Sequence, residues 1–328
     1  MSVKVAIVIP TLNEERFICG VIESVISQSY PFCDIDLMIV DGGSTDKTCS
    51  IVNEFSAQYG NIRLINNPKR IQSAAFNIAV ANSFAPIIIR MDAHALYDID
   101  YVRRCVQRLQ SVPNVGNVGG CWRVLPGADT FVGNANAILN QVRFGIGGAS
   151  FRVGAEAGDV DTVPFGAFYR DVVDKVGYMR EDLPRGEDNE YNSRIRKAGY
   201  RIFFDPAIIC TYYARATLKA SCWQMYKNGL SIGNLLHIAP EAVGLRHLVP
   251  GIFVATLLLS IILSIFFQVF CMAFTIVLGF YLIADLIASL SASARFGFRY
   301  LIILPLLFFC IHISYGCGTI VGLLKNEQ

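Results

Sequence analysis

The last third of the chain constrains its fold most. Residues 248–324 divide into three apolar blocks, about 248–267, 269–290 and 301–323, that are almost free of charge. Roughly 20 residues at about 1.5 Å rise per residue cross a hydrocarbon core of about 30 Å, so each block has the length of a transmembrane helix. One such block alone would also suit a buried core helix; three in series favour membrane spans. Gln268 marks a tight turn between the first two, and Arg295 and Arg299 mark the loop before the third. Asp285 breaks the pattern, and is expected to face a neighbouring helix or the interface rather than lipid.

Residues 1–240 read instead as a mixed globular domain. Met1-Ser2-Val3-Lys4 leads straight into a β-like segment, without the basic and apolar stretches of a signal peptide. The domain is therefore expected in the cytosol. An odd count of spans then puts Arg295 and Arg299 on the same side, as the positive-inside rule asks. Between the two regions, 213–247 carries Lys219, Trp223, Tyr226, Lys227, Arg246 and His247 among apolar residues. That mixture suits a helix at the membrane surface and equally an amphipathic helix packed on the globular domain. A net charge of +2 with no Lys/Arg block argues against nucleic acid as a partner. The ten cysteines form no C-x-x-C pair and read as small buried hydrophobes in a reducing compartment.

Apolar runs at 3–10, 36–40, 62–66 and 87–91 alternate with helix-period stretches ending near 26, 59 and 81. This alternation predicts an α/β domain with a mostly parallel central sheet and helices on both faces. Such sheets bind ligands beyond the carboxyl ends of their strands. Polar clusters stand at those ends: Thr11 to Glu14, Asp41 to Ser44, and Asp92 to His94. Residues 114–158 are rich in Gly and Asn and lack a period, which predicts sheet edge and mobile loops, including 145–148, over a site. A strand is expected over 162–169, a short helix over 171–176, and a longer helix opening at 185–190.

Several of these clusters carry chemistry. Asp41 at a strand end can accept from a ribose hydroxyl or a uracil N–H, with its glycines letting a ligand approach; it suits a helix-capping turn equally well. Asp92 and His94, two apart after an apolar strand, are predicted to face one divalent cation, Asp92 as the direct ligand. Glu187 and Asp188 at a helix start are candidates for proton abstraction, although the helix dipole favours carboxylates there in any case. Lys69 and Arg70, ahead of a helix start near Gln72 and Ser73, offer cations and free N–H groups to a phosphate.

Taken in order, these motifs resemble the family 2 glycosyltransferases of GT-A fold, most closely the succinoglycan-type exopolysaccharide glucosyltransferases. Val8-Ile9-Pro10-Thr11-Leu12-Asn13-Glu14-Glu15 is similar to that family's first strand and loop, and Asp41-Gly42-Gly43-Ser44-Thr45-Asp46 to its second nucleotide-binding turn. Asn67 to Ala74, with Asn77, resembles the segment before the metal motif; Arg90-Met91-Asp92-Ala93-His94-Ala95 stands at the metal motif, and Gly186-Glu187-Asp188-Asn189-Glu190 at the general base. The resemblance covers about residues 3–240. It implies donor binding by Pro10, Thr11, Asn13, Glu14, Asp41, Gly42, Ser44, Arg70, Ser73, Asn77 and Asp92. It further implies Mg²⁺ or Mn²⁺ at Asp92 and His94, and Asp188, beside Glu187, as base in an inverting displacement. His94 stands where the family usually has a second carboxylate. No Q-x-x-R-W follows Thr217, so addition of a single sugar is expected rather than polymerisation. The expected reaction moves one hexose, from UDP-glucose, to a lipid-linked oligosaccharide for surface polysaccharide. Polysaccharide-assembly proteins are expected as partners, in a multi-pass cell-membrane protein. The alternative within the class is transfer to bare polyprenyl phosphate.

Overall fold

The computed structural model describes residues 3–325; Met1 and Ser2, at the start of the expected 1–240 domain, lie outside them, as do residues 326–328. The strands are β1 (Val5–Thr11), β2 (Ile35–Asp41), β3 (Ile62–Asn66), β4 (Ile87–Arg90), β5 (Leu96–Tyr97), β6 (Val115–Pro126), β7 (Gly158–Asp159), β8 (Ala167–Tyr169) and β9 (Arg201–Ala214). The helices are α1 (Ile18–Ile26), α2 (Thr48–Gln58), α3 (Gln72–Ala81), α4 (Tyr101–Ser111), α5 (Phe131–Leu139), α6 (Arg143–Ile146), α7 (Ser150–Val153), α8 (Arg170–Val176), α9 (Glu187–Lys197), α10 (Leu218–Ile238), α11 (Leu245–Ser264), α12 (Gln268–Phe296) and α13 (Leu304–Leu324). Two compact units result: Met1–Arg123 with Gly154–Tyr212, and Val124–Val153 with Tyr213–Gln328. This grouping puts 124–153 and 213–240 with the apolar helices, whereas the sequence suggested one break near 240.

In the first unit the sheet runs β3-β2-β1-β4-β8-β6-β9-β5, with β7 on β9. β3, β2, β1 and β4 are parallel, and β8 returns antiparallel to β4. The sheet is therefore mixed, with the expected parallel character confined to the half built from strand–helix crossovers. Val5 through Ile9 of β1 are wholly buried, as befits a strand covered on both faces. Register then aligns the functional ends: Thr11 lies opposite Asp41, and Asp41 opposite Asn66.

Two readings of the sequence fail here for identifiable reasons. The Gly-rich stretch after 114 is an interior strand, β6, between β8 and β9 rather than sheet edge. Its glycines are packing requirements: a Cβ on Gly120 would sit 1.9 Å from the Ile208 carbonyl oxygen, and one on Gly119 2.6 Å from Val163. The strand expected over 162–169 shrinks to β8, because Pro164 has no N–H to donate and Phe165 takes a φ of 48°.

In the second unit α11, α12 and α13 are each long and apolar enough to cross a membrane, with mean hydropathies of 2.1, 2.2 and 1.8. Their bounds shift by a few residues from the sequence reading. α10 packs backbone to backbone against α13 through small residues: Cβ atoms added to Gly229, Gly318 and Gly322 would lie 1.9, 2.1 and 2.4 Å from the carbonyls of Tyr315, Tyr226 and Leu230. Residues 131–153, expected as mobile loop, are largely helical, with α5 capped by the Thr130 hydroxyl. Ala135, Ile138 and Leu139 of α5 bury against Leu304, Leu307 and Phe308. Some polar side chains inside the apolar helices find partners: Ser289 donates to Asp285 at 3.1 Å, and the His312 ring lies 2.9 Å from both the Tyr281 hydroxyl and the Phe144 carbonyl.

Candidate active site

The loops after β1 and β2 are laced together by side chains. Asn13, at φ 57°, accepts at Oδ1 from the Thr45 N–H at 2.8 Å, and its own N–H donates to the Ser44 hydroxyl at 2.8 Å. The Glu14 N–H donates to Thr48 Oγ1 at 2.8 Å, and the Glu15 N–H to Asp46 at 3.1 Å. Asp41 receives the N–H groups of Gly43 and Ser44, each at 2.8 Å, and the Ser44 hydroxyl. Burial raises its pKa, but the hydrogen bonds from Ser44 and Gly43 outweigh that and hold it below the usual carboxylate value. The turn is thus self-capped, with a carboxylate held in its charged form. Pro10, half-buried, precedes Thr11, whose buried hydroxyl has no partner among the described residues.

Arg70 lies over the same turn. Its φ of 58° brings its Cα to 3.4 Å from where a Cβ on Gly42 would be, and its guanidinium to 3.3 Å from one on Gly43. Gly42 therefore keeps the turn narrow beneath a cation. α3 starts two residues later, and the buried Ser73 hydroxyl in its first turn also lacks a partner among the described residues. Asn77 is engaged otherwise. Its amide donates to Met179 O at 2.9 Å and Glu181 at 2.8 Å, and accepts from the Met179 N–H at 2.9 Å. It ties α3 to the loop that leads into α9.

The end of β4 departs from the sequence reasoning in one respect. The strand stops at Arg90, so the alternation invoked to aim Asp92 and His94 together does not apply; both lie in the following loop. His94 is exposed, with Nδ1 3.2 Å from Glu14 Oε1. The Asp92 N–H donates to the Tyr97 hydroxyl at 2.5 Å. Behind them stands Arg90, 8% exposed, with Nη1 3.2 Å from Glu187 and Nη2 3.8 Å from Asp92 and hydrogen-bonded to Gln72. Burial lowers the Arg90 pKa, while Glu187, Asp92 and Asp188 raise it further, so the guanidinium stays charged. Burial pushes the Glu187 carboxyl up, opposed by Arg90.

α9 opens on Gly186 in the left-handed region at φ 84°, which turns the chain so that Glu187 is buried and Asp188 only half-buried. Of the two candidates for proton abstraction, Asp188 is the accessible one. Glu190 is engaged with Arg194, at 2.7 Å, one turn along. The residue that sequence reasoning missed is Arg90. Its signal was available: a single charge in the run Ile87-Ile88-Ile89-Arg90-Met91.

The donor set suits a divalent ion that brings other ligands with it. Among the described residues no three His, Cys, Asp or Glu side chains gather into a cage. The Asp92 carboxylate accepts no hydrogen bond from them, and its ion pair with Arg90 is long. One carboxylate and one nearby imidazole fit Mg²⁺ or Mn²⁺ held chiefly by diphosphate oxygens.

The profile described as Glycosyl transferase family 2 matches residues 6–177, just over half of the chain. The chain is similar to the succinoglycan biosynthesis protein ExoA of Rhizobium meliloti (strain 1021), at 35% identity over 74% of this chain and 73% of that one. It is 28% identical, over 78% of its length and 83% of the relative's, to the dolichyl N-acetyl-alpha-D-glucosaminyl phosphate 3-beta-D-2,3-diacetamido-2,3-dideoxy-beta-D-glucuronosyltransferase of Methanococcus voltae. Among solved structures, the mannosyltransferase PcManGT from Pyrobaculum calidifontis, in complex with GDP-Man and Mn2+, superposes with a TM-score of 0.64 at 20% identity. That match spans all of this chain and 89% of PcManGT, and shows a shared GT-A fold. With the sheet, the strand-end loops and the order of motifs in agreement, the chain belongs to glycosyl transferase family 2.

Proposed function

We propose that this glycosyltransferase moves one hexose from a nucleotide-sugar, UDP-glucose in the first instance, to a lipid-linked saccharide at the membrane, with inversion. The observation that carries the reading is that Asp92, in the loop after β4, and the half-buried Asp188 at the start of α9 both lie beside buried Arg90. The succinoglycan protein supports a polysaccharide product, and the Methanococcus enzyme's name, with its dolichyl-phosphate sugar, supports a lipid-linked acceptor. α11 to α13 support a membrane location.

In this reading Thr11, Asp41 and the Gly42 turn receive the nucleoside, with Pro10, Asn13, Glu14 and Ser44 shaping the pocket. Arg70 and Ser73 face its phosphates. Asp92 and His94 would hold Mg²⁺ or Mn²⁺, as that metal's presence with GDP-Man in PcManGT supports; the bound ion supplies positive charge against the departing diphosphate. Asp188 takes the proton of the acceptor hydroxyl as that oxygen attacks the anomeric carbon. Asn77 and Glu187 act from behind, holding the approach to α9 and its first turn.

The test incubates membranes containing the full chain with labelled UDP-glucose and a lipid-linked oligosaccharide. Asp188→Asn should lower kcat by about 10²–10⁴-fold while leaving UDP affinity intact. Transfer by that variant within threefold of wild type would remove Asp188 from the mechanism. Labelled monosaccharide-lipid formed from bare polyprenyl phosphate would favour the alternative acceptor, and a parallel set of UDP- and GDP-sugars identifies the donor.

A further inference from the structure

We propose that Arg90 is a positioning residue that sets the separation between the diphosphate end of the donor and the base. The inference rests on the reading given under Proposed function. Arg90 is the one charge in β4, and its guanidinium is enclosed at 8% exposure. It reaches in three directions: to Glu187 Oε1 at 3.2 Å, to the Gln72 side chain at the start of α3, and to Asp92 Oδ1 at 3.8 Å. Glu187 is itself only 6% exposed and adjoins Asp188. Arg90 and Asp188 also line one small cavity together with Asn117, Tyr191 and Asn192. One planar fork therefore joins the loop carrying Asp92, the first turn of α3 and the helix start carrying Asp188.

A core position in an apolar strand does not call for arginine. Enclosing a guanidinium is costly unless it is paired and hydrogen-bonded, and apolar side chains of similar volume commonly serve stability as well or better. What the guanidinium adds is planar, multi-point geometry, which a lysine ammonium lacks. Displacing reacting groups by about 1 Å can lower a rate about 10²-fold, so geometry held at this point matters to transfer.

The test uses the full chain in detergent, with three measurements: kcat, UDP affinity in the presence of Mn²⁺, and melting temperature. Arg90→Lys keeps the charge and loses the fork; we expect kcat to fall about 10–100-fold with UDP affinity and melting temperature nearly unchanged. The double variant Arg90→Met with Glu187→Met removes the buried pair without orphaning either charge, and keeps the test decisive should Arg90→Lys unfold. It is expected to fold and to keep the depressed kcat. A double variant that melts like wild type and turns over within threefold of it would overturn the proposal, leaving the pair as packing only. If Asp188→Asn instead retains transfer, the mechanistic reading fails, and that result is separate from the behaviour of Arg90.

Discussion

Replacing Asn77 by alanine separates two roles that its place in the motif order leaves entangled. By resemblance Asn77 belongs with the donor-binding residues, yet its amide makes three hydrogen bonds to Met179 and Glu181. Each contributes about 1 kcal/mol net, and the truncation also strands the Met179 N–H and carbonyl, so the loss is about 3–5 kcal/mol. At roughly 2–4 °C per kcal/mol, the lower figure lowers the melting temperature by about 6–12 °C. Thermal unfolding of the solubilised full chain reads this directly, and calorimetric titration with UDP reads the other role. If the geometry is right, Asn77→Ala melts early, loses kcat as the approach to α9 loosens, and binds UDP as wild type does. A variant that melts within about 2 °C of wild type but binds UDP tenfold more weakly would refute the reasoning and put Asn77 on the donor.

Two further outcomes follow from particular groups. Asp41 has a folded-state pKa below its ordinary value, so it contributes stability above an unfolded value of about 3.9 that is lost as the pH falls through the folded one; acid unfolding of Asp41→Asn should lack that component, seen as a flatter melting temperature below about pH 4. Gly229→Ala would place a methyl 1.9 Å from the Tyr315 carbonyl oxygen, a backbone atom that cannot rotate away. We expect a loss of about 1–3 kcal/mol or more, visible as earlier melting and poorer monodispersity in detergent.

How much of this was legible in the sequence depended on the range of the interactions involved. The strands β1, β2 and β4 and their helices declare themselves in windows of ten residues, because apolar runs and helical periods are local. The apolar blocks declare themselves by length. β6 did not, since Gly119 and Gly120 look like loop until Val163 and Ile208, at least 40 residues away, are brought against them. The turn at Asp41 could be read two ways because it is both self-capped and charged. The relation of Asp92 to His94 failed as reasoned, because strand alternation was extended to His94, four residues past the end of the strand. Arg90 was visible as an oddity, but its partners Gln72 and Glu187 come from α3 and α9 and no local pattern links them. Asn77 stands in the order of motifs, and only the fold reveals that its amide holds Met179 and Glu181.

The two-part composition of the second unit bears on how the protein can be handled. A chain cut after residue 240 would retain α5 and lose α13, leaving Ala135, Ile138 and Leu139 without Leu304, Leu307 and Phe308. The same cut would strip α10 of the partner against which its glycines lie, exposing bare helical backbone along Gly229 and Gly233. Such a fragment would be greasy despite lacking every hydrocarbon-length helix. A version without the second unit needs two excisions, one starting near Tyr213 and another joining Arg123 to Gly154 through a polar linker, because the chain enters that unit twice.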